Sequence, residues 1–413
     1  MTRKPVVGVG RYTSPDATVS AIRRGVMDMI GAARPSIADP FLPRKIEEGR
    51  LDDIRECIGC NICVSGEVIG APMRCTQNPT MGEEWRCGWH PESIPARRSK
   101  ESFLVVGAGP AGLEAARALG QRGARVILAE ARDALGGRVA DEYRLPGIAA
   151  WARVRDWRVG QIDKMRNVEV FKARRMAAAD VLGFGAARVV IATGSRWRSD
   201  GFGRTNRTAI PGTDRPNVHT PHDIMADVLP ADPVVIFDDD HYYMGGVLAE
   251  ALRVAGRQVT LVTPAALASI WTEATLEQWR IQKRLLELGV DVIASHNLIA
   301  VNDGAVELAC QFTERRRTLP AAGIVMVTSR LPDDALYEDL VADDRALADA
   351  GIADVSRVGD CLAPGTIAAA VHAGHRFARE LTLALGDAVP FAVESIVPRI
   401  LTKRRAPMER RTA

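Results

Sequence analysis

No stretch of the 413 residues strings together the ~18 apolar side chains that a membrane-spanning helix needs, so a membrane is not expected as a partner. Charge of one sign is missing too: 54 basic side chains face 51 acidic ones, a net charge of +3, which removes the usual grounds for expecting nucleic acid. The N-terminus has no signal-peptide core. Met1 to Pro5 runs straight into Val6-Val7-Gly8-Val9-Gly10, an apolar run too short for secretion and better read as a buried strand with its turn. The seven histidines (90, 219, 222, 241, 296, 372 and 375) show no metal-binding spacing, and His372 and His375 are expected on one partly exposed helix face. Nor are the seven cysteines spread as a disulfide framework requires, since five crowd into residues 57–87. These absences leave a cytoplasmic protein of two or three globular domains.

What is there begins with those cysteines. Cys57, Cys60, Cys63 and Cys75 have the spacing C-x2-C-x2-C-x11-C. Three cysteines at intervals of three on a tight loop can aim their sulfurs at one face of a 4Fe-4S cubane, and the distant fourth closes the set when the chain folds back. Thiolate sulfur is soft and negatively charged, which suits iron. A structural zinc site would use two C-x2-C pairs and leave the third cysteine redundant. Cys87 is expected behind the site or in the core, Cys310 and Cys361 as core thiols, and Trp85 and Trp89 as core packing or a shield for the cluster.

From Phe103 the chain reads Phe-Leu-Val-Val-Gly-Ala-Gly-Pro-Ala-Gly, then an Ala-rich helix, then the strand Arg125-Val126-Ile127-Leu128-Ala129 ending at Glu130. This is a complete dinucleotide βαβ fingerprint. Gly107 permits the tight turn, Gly109 lets backbone approach a pyrophosphate, and Gly112 lets helix and strand pack closely. The helix N-terminus presents free N–H groups to phosphate, and Glu130 is placed to accept from an adenosine ribose. A second buried strand runs from Val189 into the small-residue turn Ala192-Thr193-Gly194, and Arg357-Val358-Gly359-Asp360 precedes a helix from Ile367 to about Arg379. In flavoproteins of the glutathione-reductase type, which these segments resemble, the strand-end Asp meets the ribityl and pyrophosphate part of FAD.

A second βαβ lies between: Val234 to Phe237, a helix through Leu252, and Gln258 to Val262. Its turn is Asp238-Asp239-Asp240-His241-Tyr242-Tyr243-Met244-Gly245-Gly246, where an NAD(P)H-binding relative would show glycines. Carboxylates repel phosphate and side chains block close approach, so this unit is expected to keep the fold and to have lost NAD(P)H.

Residues 5–50 resemble the last two βα units of a TIM barrel, with Gly10, Arg11 and Arg34 as candidate ligands of an FMN phosphate. Ala33-Arg34-Pro35-Ser36-Ile37-Ala38-Asp39-Pro40-Phe41, Glu56-Cys57-Ile58-Gly59-Cys60-Asn61 and Gly88-Trp89-His90-Pro91-Glu92 complete the picture. Together these stretches resemble the trimethylamine, dimethylamine and histamine dehydrogenases, relatives of old yellow enzyme. The resemblance implies an α/β chain: 1–50 the end of an FMN-type barrel, 51–100 an iron–sulfur loop, and two nested Rossmann-like domains of the glutathione-reductase type. The first of these is split, 101–215 plus 350–390, and binds FAD or ADP; the second, 216–349, is degenerate; 391–413 form a basic, solvated tail. It further implies electron flow from FMN through the cluster to an electron-transferring flavoprotein. The alternatives are an NAD(P)H-dependent enoate or 2,4-dienoyl-CoA reductase fragment and an inactive nucleotide-binding remnant. A full barrel takes about 250 residues, so its other six units and the family's catalytic groups are absent here. A split enzyme with a barrel-bearing partner, or a shortened reading frame, is the expectation.

Overall fold

A computed structural model describes residues 4–96 and 101–381. The tail expected over 391–413 lies outside the described residues, as does the end of the 350–390 segment. At the N-terminus, strands Val7–Val9 and Met29–Gly31 pair in parallel, Val7 opposite Met29, with helix Pro15–Arg23 as the crossover. Pro15 at the start and Arg23 in the last turn suit that helix's ends. Val7, Val9 and Met29 remain at least half exposed, as expected of a parallel pair lacking sheet neighbours among the described residues. Short helices Ala33–Ala38 and Leu42–Glu47 lead into the cysteine segment.

The first nucleotide-type unit is a five-stranded parallel sheet in the order Asp354–Arg357, Arg188–Ile191, Ser102–Val106, Arg125–Ala129, Val168–Phe171. Its central strand is apolar without alternation (Phe103, Leu104 and Val105 are fully buried) because helices cover both faces. Helix Pro110–Gln121 packs on one face against helix Ile367–Glu380, which the chain supplies some 250 residues later. These two helices meet through small residues. A Cβ on Gly374 would lie 2.1 Å from the carbonyl oxygen of Ala111 on the facing helix; on its other side that helix packs on the glycine turn, where a Cβ on Gly112 would lie 1.8 Å from the carbonyl oxygen of Gly107.

The second unit is also a parallel five-stranded sheet: Asp291–Ile293, Val259–Val262, Val234–Asp238, Gly323–Val327, Val218–His219. A three-stranded antiparallel sheet, His296–Asn302, Ala305–Cys310 and Arg316–Pro320, extends it. The two units are joined by an antiparallel pair, Ser195–Trp197 with Arg330–Pro332. Three expectations need correction. His375 is buried, because its helix face turns toward Pro110–Gln121 instead of solvent. Trp85 is 72% exposed and packs in no core, whereas Trp89 is buried against the His372 and His375 rings. Cys310 ends the central strand of the antiparallel sheet and is half-buried, while Cys361 is fully buried as expected. Among the described residues no helix is long and apolar enough to cross a membrane.

The close helix crossing generates a prediction. Gly374→Ala must push the two helices apart, and overpacking of this kind costs about 1–3 kcal/mol. Chemical denaturation should show the loss with an unchanged m-value.

Candidate functional site

The chain enters the cysteine segment anchored by a buried ion pair, Lys45 Nζ to Asp39 at 2.7 Å, and Asp39 also accepts from the Arg55 backbone N–H. Beyond it, Gly59 and Asn61 take left-handed conformations (φ 73° and 54°) that reverse the chain twice within three residues. Cys63 falls in the first turn of helix Ile62–Val68 instead of the expected loop. After that helix the chain returns through Pro72 to Cys75. The result is that Cys57, Cys60, Cys63 and Cys75 line one small cavity, closed by Ile37, Ile58 and Ile62 on the apolar side and by Arg34, Asn61 and Gln77 on the polar side.

Around that cavity the backbone points N–H groups at sulfur. Gly59 donates to Cys57 Sγ at 3.4 Å, and the amides of Ile62, Val64, Gln77 and Asn78 act on Cys60, Cys63 and Cys75. Burial nevertheless dominates, pushing the Cys60 thiol up to about 12 and Cys75 up to about 11, with Cys63 raised as well. Thiols set among convergent amides, Cys63 buried and the other three half-buried, fit a soft, multiply charged centre, which displaces their protons on binding. Among the described residues no group of three or more His, Cys, Asp or Glu side chains is gathered as for a single metal ion. Cys87 stands apart, its thiol 3.0 Å from Glu83.

The two arginines read as phosphate ligands both turn to this loop. Arg34 donates to Asn61 Oδ1 at 2.6 Å, and Asn61 in turn donates to the Thr275 carbonyl at 2.8 Å. The Arg11 guanidinium fills the space over Gly59, where a Cβ would collide with it at 1.3 Å. Gly10 sits beside the Tyr12 ring.

In the first nucleotide unit the glycine turn is braced from below. Glu130 accepts the Ala108 N–H at 2.8 Å and the Arg132 N–H at 2.9 Å. Gly107 (φ 101°) tucks beneath Ala192, and Gly109 lies against Gly137, so bare backbone faces the crevice. Thr193 donates to the Asp333 carbonyl, and Gly194 turns the chain with φ 86°. Gly359 packs on Ala111, and Asp360 is heavily engaged. It accepts from Arg330 at 2.6 Å, Arg138 at 3.1 Å, Ser195 at 3.2 Å and the Gly365 N–H at 3.0 Å.

A buried network ties this crevice to the cysteines. Glu114, two residues past Gly112, accepts from Arg117 at 2.6 Å, His375 Nδ1 at 2.8 Å and Arg158 at 2.8 Å. Burial alone would raise this carboxyl; Arg117, Arg158 and His375 outweigh it and hold it well below the usual range. Arg158 passes on to the Gln77 side chain at 3.0 Å and its carbonyl at 3.1 Å. Gln77 then donates to the Glu56 carbonyl at 3.0 Å. Glu56 precedes Cys57 and Gln77 follows Cys75, so one amide side chain pins both ends of the cysteine segment. Arg117, Arg158 and Gln77 belong to no local motif, and sequence reading missed them.

In the second unit the acidic turn folds onto itself. Asp238 accepts the backbone N–H groups of Asp240 at 3.2 Å and His241 at 2.9 Å, while Asp239 accepts those of Thr205 at 2.8 Å and Asn206 at 3.3 Å. Both carboxylates are buried at the head of helix Tyr243–Val254.

With this geometry in view, three segments match known families: 1–53 the NADH:flavin oxidoreductase / NADH oxidase family, 101–239 the pyridine nucleotide-disulphide oxidoreductases, and 219–323 the OYE-like second alpha/beta domain. Dimethylamine dehydrogenase of Hyphomicrobium sp. (strain x) is 43% identical over 407 residues, covering 92% of this chain and 55% of the relative. The structure of histamine dehydrogenase from Rhizobium sp. 4-9 superposes with a TM-score of 0.91 at 54% identity, over 95% of this chain and 57% of that one. That of 6-hydroxypseudooxynicotine amine oxidase from Pseudomonas geniculata N1 gives 0.90 at 46% identity, over 92% and 57%. The chain is homologous to the dimethylamine and histamine dehydrogenases and spans about half the length of these relatives.

Two predictions come from the buried charges. Arg158→Met leaves Glu114 short of a cation and Gln77 without its clamp, and should cost about 3–5 kcal/mol of stability in denaturant titration. Asp238 is pushed from its ordinary 3.8 up to about 7, by burial first and then by Asp240. A carboxyl raised by folding stabilises at low pH, and that contribution is lost as pH rises through about 7. Asp238→Asn, keeping the acceptor oxygen, should therefore raise Tm by about 2–4 °C at pH 8 and change little at pH 4.

Proposed function

We propose that this chain is the electron-transfer portion of an iron–sulfur flavoprotein that oxidises amines, dehydrogenating or N-demethylating them, and hands the electrons to an electron-transferring flavoprotein or similar acceptor. The observation that carries the reading is the convergence of Cys57, Cys60, Cys63 and Cys75 on one amide-rich cavity in a homologue of amine dehydrogenases. These four residues would hold a 4Fe-4S cluster, which when bound supplies a one-electron relay. Ile37, Ile58 and Ile62 keep water from the cavity, and Arg34 beside it offsets negative charge.

Gly107, Gly109 and Gly112 would receive a nucleotide pyrophosphate at the head of helix Pro110–Gln121, with Glu130 near the ribose. The bonds from Arg138 and Arg330 to Asp360 favour ADP, since the ribityl chain of FAD would have to compete for that carboxylate. The FMN that accepts electrons from substrate belongs with barrel units outside these 413 residues, in a barrel-bearing partner or polypeptide. Gly10, Arg11 and Arg34 are its proposed phosphate ligands on this side, and no residue of this chain is assigned to the bond-breaking step. The NADPH-dependent reductase alternative needs open backbone donors at 238–246, and Asp238 takes up two of them.

Anaerobic purification, then iron, sulfide and acid-released nucleotide analysis, tests the reading. About four iron atoms per chain are expected, lost in Cys60→Ala and retained in Cys87→Ala, together with ADP in place of flavin. Iron content indifferent to Cys60→Ala would defeat the cluster assignment, and tight NADPH binding would defeat the assignment of the second unit.

A further inference from the structure

Thr76 stands between Cys75 and Gln77, and both neighbours fix its place. Cys75 lines the cysteine cavity, while Gln77 is clamped by Arg158 and by its own bond to the Glu56 carbonyl. The Thr76 side chain is buried and lines the same cavity. Its hydroxyl oxygen lies 3.1 Å from Cys60 Sγ, a contact that spans 16 positions of chain. While Cys60 is a free thiol, either atom can donate this bond. A cysteine that ligates a metal has lost its proton and its sulfur can only accept, so the Thr76 hydroxyl then becomes the donor.

Among the described residues no other side-chain hydroxyl is bonded to the four sulfurs. Their remaining donors are backbone amides: Gly59 to Cys57 at 3.4 Å, Ile62 to Cys60, Val64 to Cys63, and Gln77 and Asn78 to Cys75. Those amides follow from the course of the chain, whatever side chains it carries. The Thr76 hydroxyl is instead a donor that one substitution can remove. It favours the thiolate form of Cys60 more strongly than the Ile62 amide does, whereas Arg34 acts on Cys63 through its charge alone.

A buried hydroxyl needs a partner for its own sake, and a bond made only for that reason would contribute to stability and nothing else. Its acceptor gives this one a second effect. Reduction adds one negative charge to an iron–sulfur cluster and part of that charge resides on the sulfurs, so a donor aimed at a sulfur favours the reduced state. We propose that Thr76 is a positioning residue that sets the cluster's reduction potential, its hydroxyl donating to the Cys60 sulfur and drawing the potential upward. This rests on the cluster assignment made above. One electron enters and no proton is taken up; Thr76 keeps its own proton throughout, so the effect is electrostatic. The raised potential favours passage of single electrons from the flavin toward the cysteine segment.

The test is an anaerobic redox titration of the full chain, read by electron paramagnetic resonance, with iron analysis of every variant. Thr76→Val keeps the branched shape and removes the donor. Its reduction equilibrium should move about tenfold toward the oxidised form, the scale of one charge-assisted hydrogen bond, which for one electron is a fall of about 59 mV. Thr76→Ala should fall likewise, Thr76→Ser should stay near the unsubstituted chain, and each should retain about four iron atoms. Iron-loaded valine and alanine variants with unchanged potentials would overturn this proposal alone. So would a serine variant that falls as far as the valine one, since shape and not the hydroxyl would then be responsible. Loss of iron confined to the valine and alanine variants would also overturn it, because the hydroxyl would then retain the cluster instead of setting its potential. An unsubstituted chain without iron would overturn the cluster assignment as well.

Discussion

One carboxylate organises the interior. Glu114 has no exposure to solvent, and three basic side chains from three separate helices converge on its two oxygens. An isolated carboxylate at that depth would be prohibitively unfavourable, so the arrangement is all or nothing: the helices must assemble for the charge to be tolerated. Assembly then brings with it Arg158, Gln77 and the two ends of the cysteine segment. His375 completes the shell as a neutral ring, its titration moved down to about 4 chiefly by burial. Positions that lie hundreds of residues apart in sequence are thereby fixed in one frame without a disulfide.

That frame explains how a segment with little regular structure can hold four sulfurs in place. Residues 51–96 contain one helix of seven residues and little other repetitive backbone. Their order comes instead from side chains that bond to backbone: Asn78 to the Ile37 carbonyl, Gln77 to Glu56, and Asn61 to Thr275 across to the second unit. Such bonds are each worth about 1 kcal/mol net. Their value here is placement, because each one removes a degree of freedom from a cysteine neighbour.

The cysteine spacing and the glycine turn were legible in the sequence because both are local: the residues that do the work are within a few positions of one another, and their types are dictated by chemistry. The strands at 103–106, 125–129 and 234–238 were legible for the same reason, as continuous apolar runs between turns. Asp303-Gly304 was a missed opportunity. It joins two antiparallel strands, Gly304 with φ 66°, and Asp-Gly between such runs is a recognised hairpin sequence. Arg158 and Gln77 could not have been read this way. They depend on which helix faces which, and a buried arginine looks in sequence like any surface arginine. His375 and Trp85 were misjudged on the same account, since exposure is decided by the partner element and not by the residue.

The acidic turn of the second unit has a consequence for how that unit responds to its surroundings. In the turn before helix Tyr243–Val254 two backbone donors, those of Asp240 and His241, are filled by Asp238, a group tethered to the chain. A site that is filled by a diffusing phosphate gains stability with the logarithm of that ligand's concentration. A site filled from within has no such dependence: its occupancy is set once, at folding, and what modulates it is proton activity. The two donors held by Asp238 are thus answerable to acidity and not to the concentration of any ligand.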